Sequence, residues 1–257
     1  MKSYEELLSD IEEDMELMGS SHMVYAMEED NLITDYDYLP SDSCTISITL
    51  RELQEKIHLQ MLYAKTSAHI PEADKNAPKL AVIFPGIGYT ADKPLLYYAG
   101  RLAKKHGYQI QTVSYCSLPE NVKGDPEKMK QAFDLALEQT ERSLGSIDWN
   151  SYGSILFISK SIGTAISSAY ASRHDLTVKS ILFTPLAEAF SFPLAGSIAF
   201  HGTADPWAET NSIRELAAQK DVPLFLTQNA NHSLETGDVL TDIFILKTTM
   251  ERVQRFI

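Results

Sequence analysis

Three residues have the types and the order that nucleophilic catalysis needs: Ser161, Asp205 and His232. A free hydroxyl is a poor nucleophile and needs a base to take its proton. An imidazole can be that base, and a carboxylate can hold the imidazole tautomer and stabilise its charged form. Ser161 lies in Ser159-Lys160-Ser161-Ile162-Gly163, between an apolar run at 154–158 and a run of small residues at 164–171. That is a serine on a strand-to-helix turn, the setting of the G-x-S-x-G elbow, where small neighbours allow a strained turn to push the hydroxyl out. Gly163 fills the second small position, and Ser159 stands where the pattern has its first glycine. The N–H after the nucleophile, that of Ile162, is a candidate oxyanion donor. Taken singly, each residue has a plainer reading. Ser161 fits a helix N-cap, Asp205-Pro206 a helix-starting turn, and His232 a polar loop. Their joint order at three strand ends favours a triad. Glu188 is the reserve acid, and Glu235 and Asp238 read as surface residues or caps.

Other reactive side chains read as structural. Lys160 is expected to pack its stem at the elbow and carry its ammonium to solvent, with contact to an anionic substrate as the alternative. Cys116 reads as structural and His201 as a strand-end residue. The histidines form no metal-ligand pattern, and the glycines near Gly86 and Gly88 have the wrong spacing for a dinucleotide site. The chain calls for no metal or other cofactor.

The elements that must position these groups alternate from residue 79 onward. Strands are expected at 79–84, 108–113, 154–158, 178–184, 197–201 and 222–226, and helices at about 92–106, 126–144, 209–220 and 238–256, with another after the elbow. Val239, Ile243, Leu246, Met250 and Val253 mark the expected inner face of the last helix. Such alternation implies crossovers and a mostly parallel twisted sheet with helices on both faces. In such sheets sites gather beyond the carboxyl ends of the strands.

Composition narrows the function classes. The formal charge of −13 is uneven: residues 1–42 hold −12 and the remainder −1. Neither part has the basic patch that a phosphate backbone requires, so nucleic acid is not an expected partner. No apolar run approaches the roughly 18 residues of a membrane span, and the first residues lack a signal-peptide pattern. With two cysteines, Cys44 and Cys116, the expectation is a cytoplasmic protein without disulfides. Residues 1–78 read as an acidic extension and linker ahead of a domain at 79–257. Leu7, Leu8, Ile11, Met15 and Met18 predict a helix over 3–18, packed on the main domain or docked on another protein. The run at 18–23 reads as a vector-derived scar or as natural sequence. Residues 28–43 read as a loop. Thr49 and Glu52 suggest a capping box for a helix over 50–64, although 57–62 also alternates as a strand would. Residues 66–78 read as a linker.

The turn Phe84-Pro85-Gly86-Ile87-Gly88, the Ser161 elbow, Gly202-Thr203-Ala204-Asp205-Pro206 and Asn231-His232-Ser233-Leu234-Glu235 together resemble the α/β-hydrolase superfamily. The resemblance covers 79–257 and is nearest to small, lidless, dienelactone-hydrolase-like proteins. It departs from them at Pro85, where many members have histidine, and at Ser161, where dienelactone hydrolases proper use cysteine. It implies a serine hydrolase acting through an acyl-enzyme on a small carboxylic ester or related acyl compound. It also implies a second oxyanion donor, the Ile87 N–H. Lids in that fold usually enter between the strands that 185–196 connects. This short segment leaves little room for one and implies an open cleft lined by Tyr89, Leu186, Phe190, Phe192, Trp207 and Leu234. Short acyl groups should then react best. The rival readings are a non-catalytic binding protein on a hydrolase scaffold, with the acidic arm capturing a partner, and an acyltransferase.

Overall fold

A computed structural model describes residues 77–257 and, as backbone only, three short strands nearer the N-terminus. Those strands are β1 (His22–Glu28), β2 (Asn31–Ile33) and β3 (Ile46–Thr49). They form an antiparallel sheet in the order β2-β1-β3. β2 therefore interrupts the loop expected over 28–43, and His22 and Met23 from the run at 18–23 begin β1. The expected helices over 3–18 and 50–64, the strand alternative at 57–62 and nearly all of the 66–78 linker lie outside the described residues. The chain divides into two compact units, Met1–Leu62 and Tyr63–Ile257.

In the second unit six strands follow: β4 (Lys79–Phe84), β5 (Tyr108–Thr112), β6 (Ser154–Lys160), β7 (Lys179–Phe183), β8 (Ser197–Gly202) and β9 (Leu224–Thr227). All pair in parallel, in the order β5-β4-β6-β7-β8-β9. The inner strands are near-continuous apolar runs because helices cover both faces, leaving no wet side to favour alternation. Helices α1 (Pro94–Lys105) and α5 (Val239–Phe256) cover one face. Their core holds Leu96, Ala99, Val253 and Phe256 with Ile83, Leu156, Ile158, Phe183 and Phe200. Helices α2 (Pro126–Leu144), α3 (Ile162–Arg173) and α4 (Thr210–Gln219) cover the other. That core holds Val82, Phe84 and Phe157 against Leu137, Ile166 and Tyr170, and Leu182 against Ile213 and Ala217.

Local chemistry sets the helix starts. Asp125 caps α2 by accepting from Lys128 N–H, and Pro126 occupies the first turn, where its missing N–H costs nothing. Asp238 caps α5 through Thr241 N–H, as one of its two expected roles. Helix α3 is buried from Ile162 to Ala171. Its small residues let it lie close to the sheet. The hydroxyls of Ser167 and Ser168 donate back to Thr164 O at 3.1 and 2.7 Å, so little polar cost remains.

The inner face of α5 carries Leu246, Met250 and Val253 as expected and departs from expectation at Val239 and Ile243. Ile245, Thr249, Val253 and Phe256 are buried, whereas Val239 and Ile243 are 69% and 58% exposed. The helix is apolar on two adjacent stripes, so periodicity alone admits either. Packing against α1 and the sheet selects the stripe that starts at Ile245. Among the described residues no helix is long and apolar enough to cross a membrane.

Candidate active site

Strand β6 runs on to Lys160, and the chain turns at Ser161 with φ 56° and ψ −127°. A non-glycine residue with positive φ is strained unless its surroundings impose it. Here they do. Ser161 N–H donates to Phe183 O on β7, and Thr164 N–H and Oγ–H both return to Ser161 O, at 2.9 and 2.6 Å. A Cβ on Gly163 would lie 2.3 Å from Phe84 O and 2.5 Å from Pro85 O. Glycine is thus required by the close approach of the elbow to the end of β4. Ser159, in the pattern's first glycine position, is fully buried and donates its hydroxyl to Ile181 O at 3.1 Å. A strand neighbour therefore satisfies the polar group that glycine would lack.

Two further strand ends deliver the partners. Asp205 follows β8 and His232 follows β9. His232 Nδ1 lies 2.6 Å from Asp205 Oδ2, and His232 Nε2 lies 2.8 Å from Ser161 Oγ. An ionised carboxylate can only accept, so Nδ1 carries the proton and donates. Nε2 is then free to accept from the serine hydroxyl. Asp205 Oδ1 accepts Trp207 N–H at 2.8 Å, and Thr184 Oγ1, at the end of β7, donates to His232 O at 3.0 Å. The two loops are pressed together. A Cβ on Gly202 would lie 2.2 Å from Ala230 O, and Ala204 N–H donates to that same oxygen at 2.9 Å.

The electrostatics suit a neutral base beside an ionised acid. Burial pushes the Asp205 carboxyl up, but the hydrogen bond and charge of His232, with Trp207 N–H and His201, outweigh it and hold the carboxyl below its usual range. Burial lowers the His232 imidazole, Asp205 opposes that, and the charges of Lys160 and Lys123 add to the lowering.

The turn after β4 adjoins the serine. Gly86 and Tyr89 exchange backbone hydrogen bonds at 3.1 and 3.3 Å, and a Cβ on Gly86 would lie 3.0 Å from Ser161 Cβ. Within that turn Ile87 is exposed, and its N–H has no acceptor among the described residues. Ile162 heads α3, where first-turn amides have no intrahelical acceptor.

A cavity of about 790 Å³ lies beside the elbow. Ile162, Leu186, Phe192, Trp207, Met129 and Phe133 line it, with Lys123 and Glu188 among its charged residues. Three of the expected wall residues, Leu186, Phe192 and Trp207, line this cavity. Tyr89, Phe190 and Leu234 do not line it. Phe190 is buried against Ala165, Leu182 and Ile213. Tyr89 and Leu234 belong to the core beneath the sheet's other face. None of the three belongs to a strand of the sheet: Tyr89 lies in the turn after β4, Phe190 in the 3-10 turn after β7 and Leu234 in the loop after β9, and each of these segments folds its side chain into the core. The connection over 185–196 holds only a 3-10 turn, Ala187–Ser191, and Glu188 makes no hydrogen bond to His232.

Lys160 differs most from expectation. It is 1% exposed, with its ammonium 4.9 Å from the centre of the Tyr89 ring. Residues 156, 158 and 160 share one face of β6 by strand alternation, so its side chain enters the α1/α5 core instead of reaching solvent. That parity was the sequence signal for it. His201 is fully buried near the end of β8 and places Nδ1 3.7 Å from Asp205 Oδ2, while Nε2 bonds Thr210 Oγ1 at 3.1 Å. Cys116 is exposed and clamped by Gln139, which accepts from its N–H at 2.8 Å. Glu235 is exposed and its N–H donates to Asn231 Oδ1.

No family model and no curated protein matches the chain. Solved structures similar to it include a serine hydrolase without a lid from Xanthomonas campestris, 14% identical, covering 73% of this chain and 85% of that one at a TM-score of 0.48. Another is an α/β serine hydrolase homologue from Coxiella burnetii, 13% identical, covering 69% and 88% at 0.48. A third is Est1E from Butyrivibrio proteoclasticus with bound ferulic acid, 11% identical, covering 72% and 92% at 0.48. The chain's own topology decides the architecture: the serine leaves an inner strand of a β5-β4-β6-β7-β8-β9 parallel sheet and meets an acid and an imidazole from β8 and β9, so residues 79–257 have the α/β-hydrolase fold.

Proposed function

We propose that the chain is a serine hydrolase that cleaves carboxylic esters or related acyl compounds through an acyl-enzyme. The observation that carries this reading is the unbroken relay Asp205–His232–Ser161, with contacts of 2.6 and 2.8 Å, ending on a serine with φ 56°. In this mechanism His232 Nε2 takes the serine proton as Oγ attacks the acyl carbon. The carbonyl electron pair moves onto oxygen, where the N–H groups of Ile87 and Ile162 receive the charge. The imidazolium then gives its proton to the leaving alkoxide. Water, deprotonated by the same imidazole, repeats the sequence and frees the acid. Asp205 keeps the imidazole oriented and stabilises its charged form without taking the proton.

The cavity supports an acyl or alcohol group of moderate size, apolar or aromatic. Its volume of about 790 Å³ is within the range of sites for small organic ligands, and its walls are Leu186, Phe192, Trp207 and Met129. Chains that outgrow it would project into solvent and gain no further burial.

The test uses the full chain. Chromogenic esters from two to twelve acyl carbons are assayed with the wild type and Ser161→Ala, alongside labelling by a fluorophosphonate probe. Hydrolysis and labelling should both vanish in the folded variant, and kcat/KM should stop rising once the cavity is filled. A variant that keeps most of the activity would place the chemistry on another nucleophile.

A further inference from the structure

The least expected charge in the core is that of Lys160. Strand alternation sends its side chain into the same face as Leu156 and Ile158, where an aliphatic residue would satisfy packing. Among the described residues its ammonium makes no hydrogen bond or ion pair. Its one close partner is the Tyr89 ring, 4.9 Å away. Tyr89 is no counter-anion. Its oxygen accepts Leu95 N–H at 3.1 Å, and burial pushes its hydroxyl up to about 12, so it stays neutral. A buried cation without a carboxylate partner is costly, and such a group beside a reactive site is a functional candidate.

We propose that Lys160 is a positioning residue, proton-linked to His232, whose enclosed ammonium opposes charge on the imidazole, so that the base works fastest once both groups are neutral. This rests on reading Ser161, His232 and Asp205 as the triad. Lys160 itself neither gives nor takes the serine proton. Burial brings its ammonium down to about 7, against a weaker upward pull from Asp205 and Glu235, and its charge is one of the influences that lower His232. Two coupled bases of this kind shed their protons in two macroscopic steps. Other charges also face the pair. Asp205, from the loop after β8, bonds His232. His201 stands behind that carboxylate and is itself lowered by burial. Glu235 comes from the loop after β9, and Lys123 comes from ahead of α2, with its ammonium 5.4 Å from the Trp207 ring.

The experiment measures kcat/KM for 4-nitrophenyl acetate from pH 5 to 9 in the wild type, Lys160→Met and Lys160→Arg, with folding checked by circular dichroism. The wild type should rise in two steps, the upper one near pH 7. Lys160→Met should show one step, moved upward from the lower wild-type step. Lys160→Arg, permanently charged, should keep the lower step, lose the upper one and remain several-fold slower than wild type at pH 8.5. Profiles that match wild type in both variants would overturn the proposal. A second readout needs neither variant nor turnover. In wild type and in Ser161→Ala, ¹³C-labelled lysine should reveal one ε-carbon titrating near pH 7, with a matching step in the His232 ring signals. A Lys160 midpoint above 9 would also overturn it. Because the titration is read in Ser161→Ala as well, a failure of the triad reading, seen as undiminished hydrolysis in that variant, is distinguishable from a failure of the coupling.

Discussion

Ser161 has two unlike sides. On one, facing Trp207, Leu186 and Phe192, there is an open cavity of about 790 Å³, with Trp207 exposed, Phe192 half-buried and charges of both signs at its edge. On the other, facing Tyr89, Lys160 and Leu234, there is a closed core in which each of these residues is 8% exposed or less. The open side is assembled from loops and helix starts and can vary in shape without disturbing the sheet. The closed side is a strand end, where backbone contacts leave no room for change. Under the proposed function the contrast separates two tasks: the open side would set what is bound, and the closed side would set how the base is charged.

The largest effect should come from cutting the relay that joins the sides. Asp205→Asn should lower kcat about 10⁴-fold through the wrong imidazole tautomer, with the fold unchanged. Stopped assays with excess enzyme would measure it, and a loss below tenfold would mean that Glu188 or another acid serves instead.

Lys160→Met tests the closed side through stability. The folded value of about 7 lies below the ordinary 10.5. The folded state therefore binds the proton less tightly than the unfolded one. The cost of the charge is present in full below pH 7 and fades as pH rises toward 10.5. At about 1.36 kcal/mol per unit, the shift corresponds to on the order of 4 to 5 kcal/mol. Lys160→Met should thus be more stable than wild type at pH 6 by urea denaturation, and the gain should shrink by pH 10. An equal gain at both values would mean that packing alone is involved.

Gly163→Ala should destabilise by about 3 kcal/mol and lower activity, since its Cβ would meet two backbone oxygens that cannot yield. Thermal denaturation decides it, and a variant within 1 °C of wild type would contradict the clamped elbow. Trp207→Ala should act only on the open side. It should reduce kcat/KM about tenfold for an aromatic acyl ester, as expected for losing part of a large apolar wall, and leave acetate esters nearly unchanged. The smallest effect belongs to Ser159→Ala, which removes the hydroxyl bonded to Ile181 O. A loss of about 1 kcal/mol in stability, the net worth of one hydrogen bond, should leave kcat unaltered.

Much of this architecture is legible in the sequence. The order of strands and helices from residue 79 follows from apolar runs alternating with helical spacing, and α2 spans the expected 126–144 with Pro126 in its first turn. The relay was legible from the order Ser161, Asp205, His232 and from each residue's place after an apolar run. These are local properties: the chain chooses strand, turn or helix within a few residues, and each choice leaves its trace in composition. The inner face of α5, the fate of Tyr89, Phe190 and Leu234, and the burial of Lys160 were decided by the tertiary structure. The first needed α1 and the sheet to choose between two apolar stripes. These three residues looked like cleft walls because sequence nearness to a site does not say whether a loop turns a side chain toward the cleft or into the core. For Lys160 composition pointed the wrong way, because a lysine is ordinarily a surface residue. Only the continuation of β6 by two more residues, with its alternation intact, turns that ammonium inward beneath the serine.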